Sequence, residues 1–296
     1  MESYIGIFDS GAGGLTVLRA MERILPGENY LYFGDTARLP YGPRPLKEVE
    51  GFVLEIGDYL VASGCKIILI ACNTATAAGL AALREKSPVP VYGMIDAACR
   101  GLEELAGSGA NPWPAGLAAT EGTVGSGAYQ EAVKRLAERL KPAVSEAAPG
   151  VQSQNGDPAG LPSPFGKLLA KGCPRFVTLV EQGITEGEKA AEIVGQDLKE
   201  LKEESIRSLI LGCTHFPFLA GEISRFLGPE TVLIDPAVSL SRMVKEKLEQ
   251  EGLLTRCSAE KAGKRLFYCS GEPKEFQRVG GRLLGRPLDQ VRRKIF

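Results

Sequence analysis

Histidine is almost missing from this chain: 296 residues contain only His215. Zinc and iron centres usually draw on two or more imidazoles unless thiolates replace them, so a His-rich metallohydrolase is excluded. Thiolates do not fill the gap. The seven cysteines stand at 65, 72, 99, 173, 213, 257 and 269, and no pair has the C-x-x-C spacing of zinc sites or thioredoxin-like redox motifs. An odd count scattered through a long chain, partly inside apolar stretches, is not a secreted disulfide framework. It points to a reducing, cytoplasmic compartment. An excess of either charge is lacking as well. Lys plus Arg number 35 against 36 Asp plus Glu, a net charge of −1, which leaves no electrostatic footprint for nucleic acid or an anionic membrane. The basic run Arg292, Arg293, Lys294 is too short to alter that balance. No apolar run is long enough to span a bilayer, and Met-Glu-Ser-Tyr leads straight into a strand-like run, so no signal segment is expected. The partners left are a small molecule and a second copy of the chain.

What is present is the composition of a globular protein, 44% hydrophobic, which is enough to bury a sizeable core. Short apolar runs alternate with longer amphipathic stretches, the pattern of βα units around a largely parallel sheet. Strands are expected at Tyr4–Phe8, Tyr30–Phe33, Lys66–Ala71, Pro90–Met94, Ala115–Ala119, Ile206–Leu211, Thr231–Ile234 and Arg265–Cys269. Between them Leu15, Leu18, Met21 and Leu25 recur at helical spacing, as do Val49, Phe52, Val53, Ile56 and Leu60. The expected class is α/β, doubly wound.

The two halves also echo each other. KIILIACNT at 66–74 and RSLILGCTH at 207–215 each read as a buried strand followed by a small residue, a cysteine and a Thr-containing polar pair. Downstream, Asp96 follows Cys72 by 24 residues and Asp235 follows Cys213 by 22. Upstream, IGIFDSGAGG has a weaker counterpart in AGLAATEGTVGSG. This predicts two pseudosymmetric lobes with mainly parallel sheets: residues 1–97 plus 236–296 carrying Asp9 and Cys72, and residues 98–235 carrying Glu181, Cys213 and His215. Ligand is then expected in the cleft between them, at strand C-terminal ends and helix N-termini. The stretch 148–166, rich in Gly, Pro, Ser, Gln and Asn, reads as a mobile surface loop, a tolerated insertion rather than a lid.

Each half thus offers a cysteine in a strand-to-helix turn, where backbone N–H groups and the helix dipole favour a thiolate. Most unpaired cysteines are small buried hydrophobes, and that reading suffices for Cys65, Cys99, Cys257 and Cys269. For Cys72 and Cys213 the repeat argues otherwise. Inverting a stereocentre with a weakly acidic C–H needs one group to remove a proton and another to deliver one to the opposite face, and pseudo-twofold lobes supply such a pair. A nucleophilic cysteine hydrolase would need one thiol with a histidine base, a role open to His215 but not for Cys72. The loop Phe8-Asp9-Ser10-Gly11-Ala12-Gly13-Gly14 opens a helix and has the setting of an anion cradle, but it lacks both the P-loop Lys-Ser/Thr and full G-x-G-x-x-G spacing, so nucleotide binding is disfavoured. Asp9 reads either as a helix N-cap or as a carboxylate near Cys72. Tyr41 reads as a turn residue or a ligand contact, Asn73 and Thr74 as helix caps or ligand contacts, and His215 as a satisfied buried histidine or a partner of Cys213.

The segments IGIFDSGAGGLTVL, YFGDTARLPYG, ACNTATA, ATEGTV, CPRFVTLVEQG and LGCTHFPFL resemble the glutamate racemases of the aspartate/glutamate racemase superfamily, over almost the whole chain. The resemblance implies an isomerase that interconverts L- and D-glutamate for peptidoglycan synthesis, without pyridoxal phosphate, metal or other cofactor, and commonly as a homodimer. It implies Cys72 and Cys213 as acid/base groups, Asp9 and His215 as flanking aids to proton transfer, and Glu181 as a carboxylate near His215. It places substrate contacts at Asp9, Ser10, Tyr41, Gly42, Asn73, Thr74, Thr214 and His215. Hydroxyl, amide and backbone donors there suit two carboxylates without putting a strong base beside a carbanion-like transition state. The chain departs from the family pattern in its long 148–166 stretch, in Arg175 and in Phe216, none of them an acid/base position. Sister racemases for aspartate or hydantoins, a decarboxylase that needs only one protonating cysteine, and a non-catalytic binding protein on the same scaffold stay open as alternatives.

Overall fold

The computed structural model describes residues 3–147, 165–255 and 262–296. Residues 148–164, most of the Gly/Pro-rich stretch, lie outside the described residues, and so does Cys257. Among the described residues ten strands form two parallel sheets. The first contains β1 (Tyr4–Asp9), β2 (Tyr30–Gly34), β3 (Cys65–Ile70) and β4 (Val91–Gly93), and the second contains β5 (Ala115–Ala119), β6 (Leu168–Gly172), β7 (Ser208–Gly212) and β8 (Val232–Ile234). Two late strands, β9 (Arg265–Cys269) and β10 (Arg292–Arg293), return to extend the first sheet, whose order is β10-β9-β2-β1-β3-β4.

The second sheet runs β6-β5-β7-β8, the same order as β2-β1-β3-β4 in the first. The echo seen in the sequence is therefore an echo of topology. It is imperfect at its far end: Asp235 caps helix Pro236–Gln250 by accepting from the Ala237 N–H at 3.0 Å, whereas Asp96 lies inside helix Met94–Gly107 and pairs with Arg84.

The strands are legible as apolar runs because parallel strands covered by helices on both faces are buried on both faces. β5 and β7 are buried along their whole length, and so is β1 beyond Tyr4. The two strands absent from the sequence expectation are both poorly buried. β6 is only half-buried at every position, and β10 is a two-residue exposed edge, so neither carries an apolar signature. Helix Leu15–Ile24 buries Leu15, Leu18 and Met21, and helix Leu46–Ala62 buries Val49, Val53, Ile56 and Leu60, the positions that helical periodicity selects.

Helix Met94–Gly107 leads from the first sheet to the second and packs against helix Pro236–Gln250, which leads back and also packs on helix Leu15–Ile24. Ile7 and Leu69 of the first sheet share one buried cluster with Leu209 and Leu211 of the second. The fold is thus α/β, two lobes joined through a continuous core.

Candidate active site

Register decides which strand ends meet. Phe8 of β1 pairs with Ile70 of β3, and the Ala71 N–H donates to the Phe8 carbonyl at 2.8 Å, so Asp9 and Cys72 leave adjacent strands side by side. In the second lobe Ala119 of β5 pairs with Gly212 of β7, which sets Thr120 beside Cys213 in the same way. The two strand ends face one cleft of about 80 Å³, lined by Cys72 and Cys213 and by Ser10, Tyr41, Gly42, Asn73, Thr74, Glu181, Thr214 and His215. Every expected site residue except Asp9 lines it directly. Asp9 sits behind, 1% exposed, with one carboxylate oxygen accepting from the Gly11 N–H at 3.0 Å. A larger cavity of about 470 Å³ lies between helices Met94–Gly107, Ala128–Ala147 and Pro236–Gln250 and contains neither thiol.

Several capping readings are settled by these contacts. Asp9 is not a helix cap, because Gly14 occupies the N-cap of helix Leu15–Ile24. Asn73 and Thr74 are not caps either. Cys72 itself is the N-cap of helix Asn73–Lys86, its Sγ accepting from the Ala75 N–H at 3.4 Å. That contact was the sequence argument for a thiolate, and it is outweighed. Burial, with the Asp9 carboxylate adding to it, pushes Cys72 up to about 12, so at neutral pH it is a thiol. Asp9 is raised too, by burial first, with the charge of His215 and the Gly11 N–H only partly opposing. Its Oδ1 has no hydrogen-bond partner among the described residues.

The Cys213 side is built differently. His215 Nδ1 lies 3.7 Å from Cys213 Sγ, and His215 Nε2 lies 3.6 Å from a Glu181 carboxylate oxygen. Burial alone would depress the imidazole, but hydrogen bonds to Cys213 and Glu181 and the nearby acidic groups overcome it and raise His215 to about 10. Glu181 ends helix Pro174–Glu181, and its carbonyl accepts from Arg282 of helix Pro273–Leu284 at 3.2 Å. The lobes touch closely here. A Cβ on Gly13 would lie 2.4 Å from Thr214 Oγ1 and 2.6 Å from His215 Cε1, so only glycine lets the first-lobe loop pass the histidine. A Cβ on Gly14 would likewise lie 2.6 Å from Asp9 Cβ, so Gly13 and Gly14 serve close packing in this loop, whereas Gly11 has only ordinary contact around it.

Tyr41 keeps its ring in the cleft wall, but its hydroxyl donates to buried Asp35, leaving ring and backbone for a ligand. Thr74 Oγ1 lies 3.1 Å from Thr120 Oγ1 and 3.0 Å from Thr123 Oγ1 across the lobes. Thr120 and Thr123 were not among the expected site residues, and both line the cleft. The available signal was ATEGTV, the counterpart of the loop that carries Asp9. Two of the three sequence departures are also accounted for: Arg175 pairs with Asp197, and Phe216 packs edge-on against Phe176 at 5.0 Å.

Two α/β lobes with a thiol projecting from each into a shared, hydroxyl-lined cleft define a scaffold for acid/base chemistry on a small substrate. Residues 5–244 match the Asp/Glu/Hydantoin racemase family, and the chain belongs to it. It is 38% identical to a glutamate racemase of Geobacter metallireducens over 287 residues, 97% of this chain and 94% of that protein. Among solved structures it is similar to glutamate racemase from Thermus thermophilus in complex with β-chloro-D-alanine, with 38% identity, TM-score 0.79 and coverage of 99% of this chain and 97% of that one. It is also similar to the Francisella tularensis glutamate racemase in complex with D-glutamate, with 28% identity, TM-score 0.81 and coverage of 99% and 97%.

Proposed function

We propose that this protein interconverts L- and D-glutamate by proton transfer at the α-carbon, with Cys72 and Cys213 acting on opposite faces of the substrate. The observation that carries the reading is the pair itself: equivalent thiols after equivalent strands, lining one cleft. The curated relatives, named glutamate racemases at 35–39% identity, support glutamate as the substrate.

In a productive complex one cysteine is a thiolate that removes the α-proton and the other is a thiol that protonates the opposite face. The two groups exchange these roles when the other enantiomer is bound. Burial and Asp9 suit Cys72 to be the acid of the resting site. On the other side the His215 imidazolium, held by Glu181, is the neighbour that a thiolate at Cys213 requires. Asp9, with an unpartnered oxygen, serves as the carboxylate beside Cys72 and the substrate ammonium. The hydroxyls of Ser10, Thr74, Thr120, Thr123 and Thr214 and the Asn73 amide hold the substrate carboxylates while negative charge develops at the α-carbon. No cofactor is needed for these steps.

In this reading residues 1–97 with 236–296 form the lobe of Cys72 and residues 98–235 the lobe of Cys213. The product supplies D-glutamate for peptidoglycan. The six described cysteines are all free, which fits a reducing cytoplasm, and no helix among the described residues is long and apolar enough to cross a membrane. The working form is a homodimer.

The test is incubation with L-glutamate in deuterated water without added cofactor, followed by optical rotation and α-deuterium content. Inversion with deuterium incorporation is expected from the intact protein and none from Cys72→Ala or Cys213→Ala. Neither inversion nor exchange would sink the enzymatic reading. Inversion of aspartate alone would move the protein to a sister activity, and an active single mutant would contradict the two-base assignment.

A further inference from the structure

Asn73 stands between Cys72 and Thr74 in the cleft wall and is 3% exposed. A side-chain amide has an acceptor face and a donor face, and a ligand meets opposite chemistry depending on which is presented. One face of this amide is already occupied. The hydroxyl of Tyr129, in helix Ala128–Ala147 of the other lobe, donates to Asn73 Oδ1 at 2.6 Å. Tyr129 is fully buried; a phenol can accept as well as donate, but Asn73 Oδ1 is the one acceptor its O–H reaches among the described residues, so a flipped amide would leave that buried proton unpaired. The remaining face, Nδ2, is buried and has no partner among the described residues. A buried NH₂ group left unpaired costs the desolvation of its hydrogens, a cost that an incoming acceptor removes.

We propose that Tyr129 is a positioning and specificity-determining residue: by occupying the Asn73 carbonyl from the opposite lobe, it leaves Asn73 as a donor-only group that donates to a carboxylate oxygen and rejects a carboxamide NH₂ or an ammonium. This rests on the reading of Asn73 as a substrate contact. Without the phenol, nothing among the described residues distinguishes the two amide orientations, and the flipped one turns a carbonyl toward the substrate carboxylate. Tyr129 touches no substrate atom and acts only through Asn73. Because the bond spans the lobes, the selective orientation exists only when the lobes hold this arrangement.

The test compares Tyr129→Phe, Asn73→Ala and the double variant. Tyr129→Phe removes one oxygen and keeps the ring. It is expected to raise KM for glutamate about tenfold, as befits one lost buried hydrogen bond, with kcat falling less than KM rises. Glutamine and isoglutamine serve as competitive inhibitors that replace one or the other carboxylate. One of them is expected to gain on glutamate in the variant. In the Asn73→Ala background the Tyr129 substitution is expected to add nothing to KM. An unchanged KM in Tyr129→Phe, or the same increment with and without Asn73, overturns the proposal. Should Asn73→Ala itself leave KM unchanged, Asn73 is not a substrate contact and the underlying reading fails instead. A measurement on the unmutated protein covers the case in which Tyr129→Phe does not fold. In the parent, glutamine and isoglutamine are expected to compete with glutamate unequally, one of them at least about tenfold more weakly, and equal competition by both overturns the proposal. Asn73 side-chain ¹⁵NH₂ signals, identified by their loss in Asn73→Ala, that stay unshifted on saturation with glutamate would instead sink the underlying reading.

Discussion

Gly13→Ala is the smallest change that separates the geometry of this cleft from its chemistry, because it adds one methyl group to a residue with no reactive atom. The new Cβ would lie 2.4 Å from Thr214 Oγ1, 2.6 Å from His215 Cε1 and 2.8 Å from His215 Nδ1, whereas ordinary contact begins at 3.4 Å. Relief therefore demands a displacement of about 1 Å across the lobe boundary. The neighbours are poorly placed to yield, since Thr214 is 5% and His215 8% exposed. The contact between His215 Nδ1 and Cys213 Sγ is already long at 3.7 Å, so a shift of this size breaks it. Overpacking costs on the order of 1–3 kcal/mol in stability. Misplacing a reacting group by 1 Å costs about 100-fold in rate, so activity is the more sensitive readout. Steady-state racemisation is expected to show kcat/KM lower by about that factor, in a protein that still unfolds cooperatively with Tm reduced by several degrees. Gly51→Ala, in a helix with nothing within 4 Å of the new methyl, is the control and is expected to keep full activity and gain slight stability. Gly13→Ala with kcat/KM within twofold of the parent would refute the claim that only glycine lets the first-lobe loop pass His215.

The single imidazole makes two further predictions simple to read. His215 rises from 6.5 to about 10 on folding, so its contribution to stability is complete below 6.5 and is lost as pH climbs toward about 10. The urea midpoint is expected to fall between about pH 6.5 and about pH 8.5, below the range where the cysteines add their own loss, and His215→Asn is expected to flatten that slope. An equal slope in the variant would show that another group is responsible. Glu181 is half-exposed, so its hold on His215 is screened. In Glu181→Gln the NMR titration midpoint of the one histidine Cε1–H is expected to drop by about 0.2–0.7 units, and a drop of several units or a rise would refute the pairing.

Much of this molecule is legible without coordinates because parallel strands buried on both faces must be written as apolar runs. β5 and β9 fall at the expected residues, and the strands before Cys72 and Cys213 differ only by a residue or two at their ends. β6 escapes because a half-buried edge strand carries neither an apolar run nor alternation. Cys72 and Cys213 are found because a repeated strand places each at the same exit, so local spacing suffices. Local spacing also places His215 two residues beyond Cys213 and Asp9 at the end of β1, though it leaves open whether Asp9 caps a helix.

Thr120 and Thr123, which line the cleft, and Tyr129, which bonds a residue that does, arrive there by a different route. Thr120 and Thr123 meet Thr74, and Tyr129 meets Asn73, only where two lobes close on each other, and no periodicity within either segment records that approach. The protonation of Cys72 belongs to the same class. The sequence by itself determined where the two thiols leave their strands, since strand ends follow from local burial and spacing. Whether Cys72 is thiol or thiolate was decided only in the tertiary structure, because desolvation and the Asp9 carboxylate act through space and outweigh the helix N-terminus that the sequence reveals.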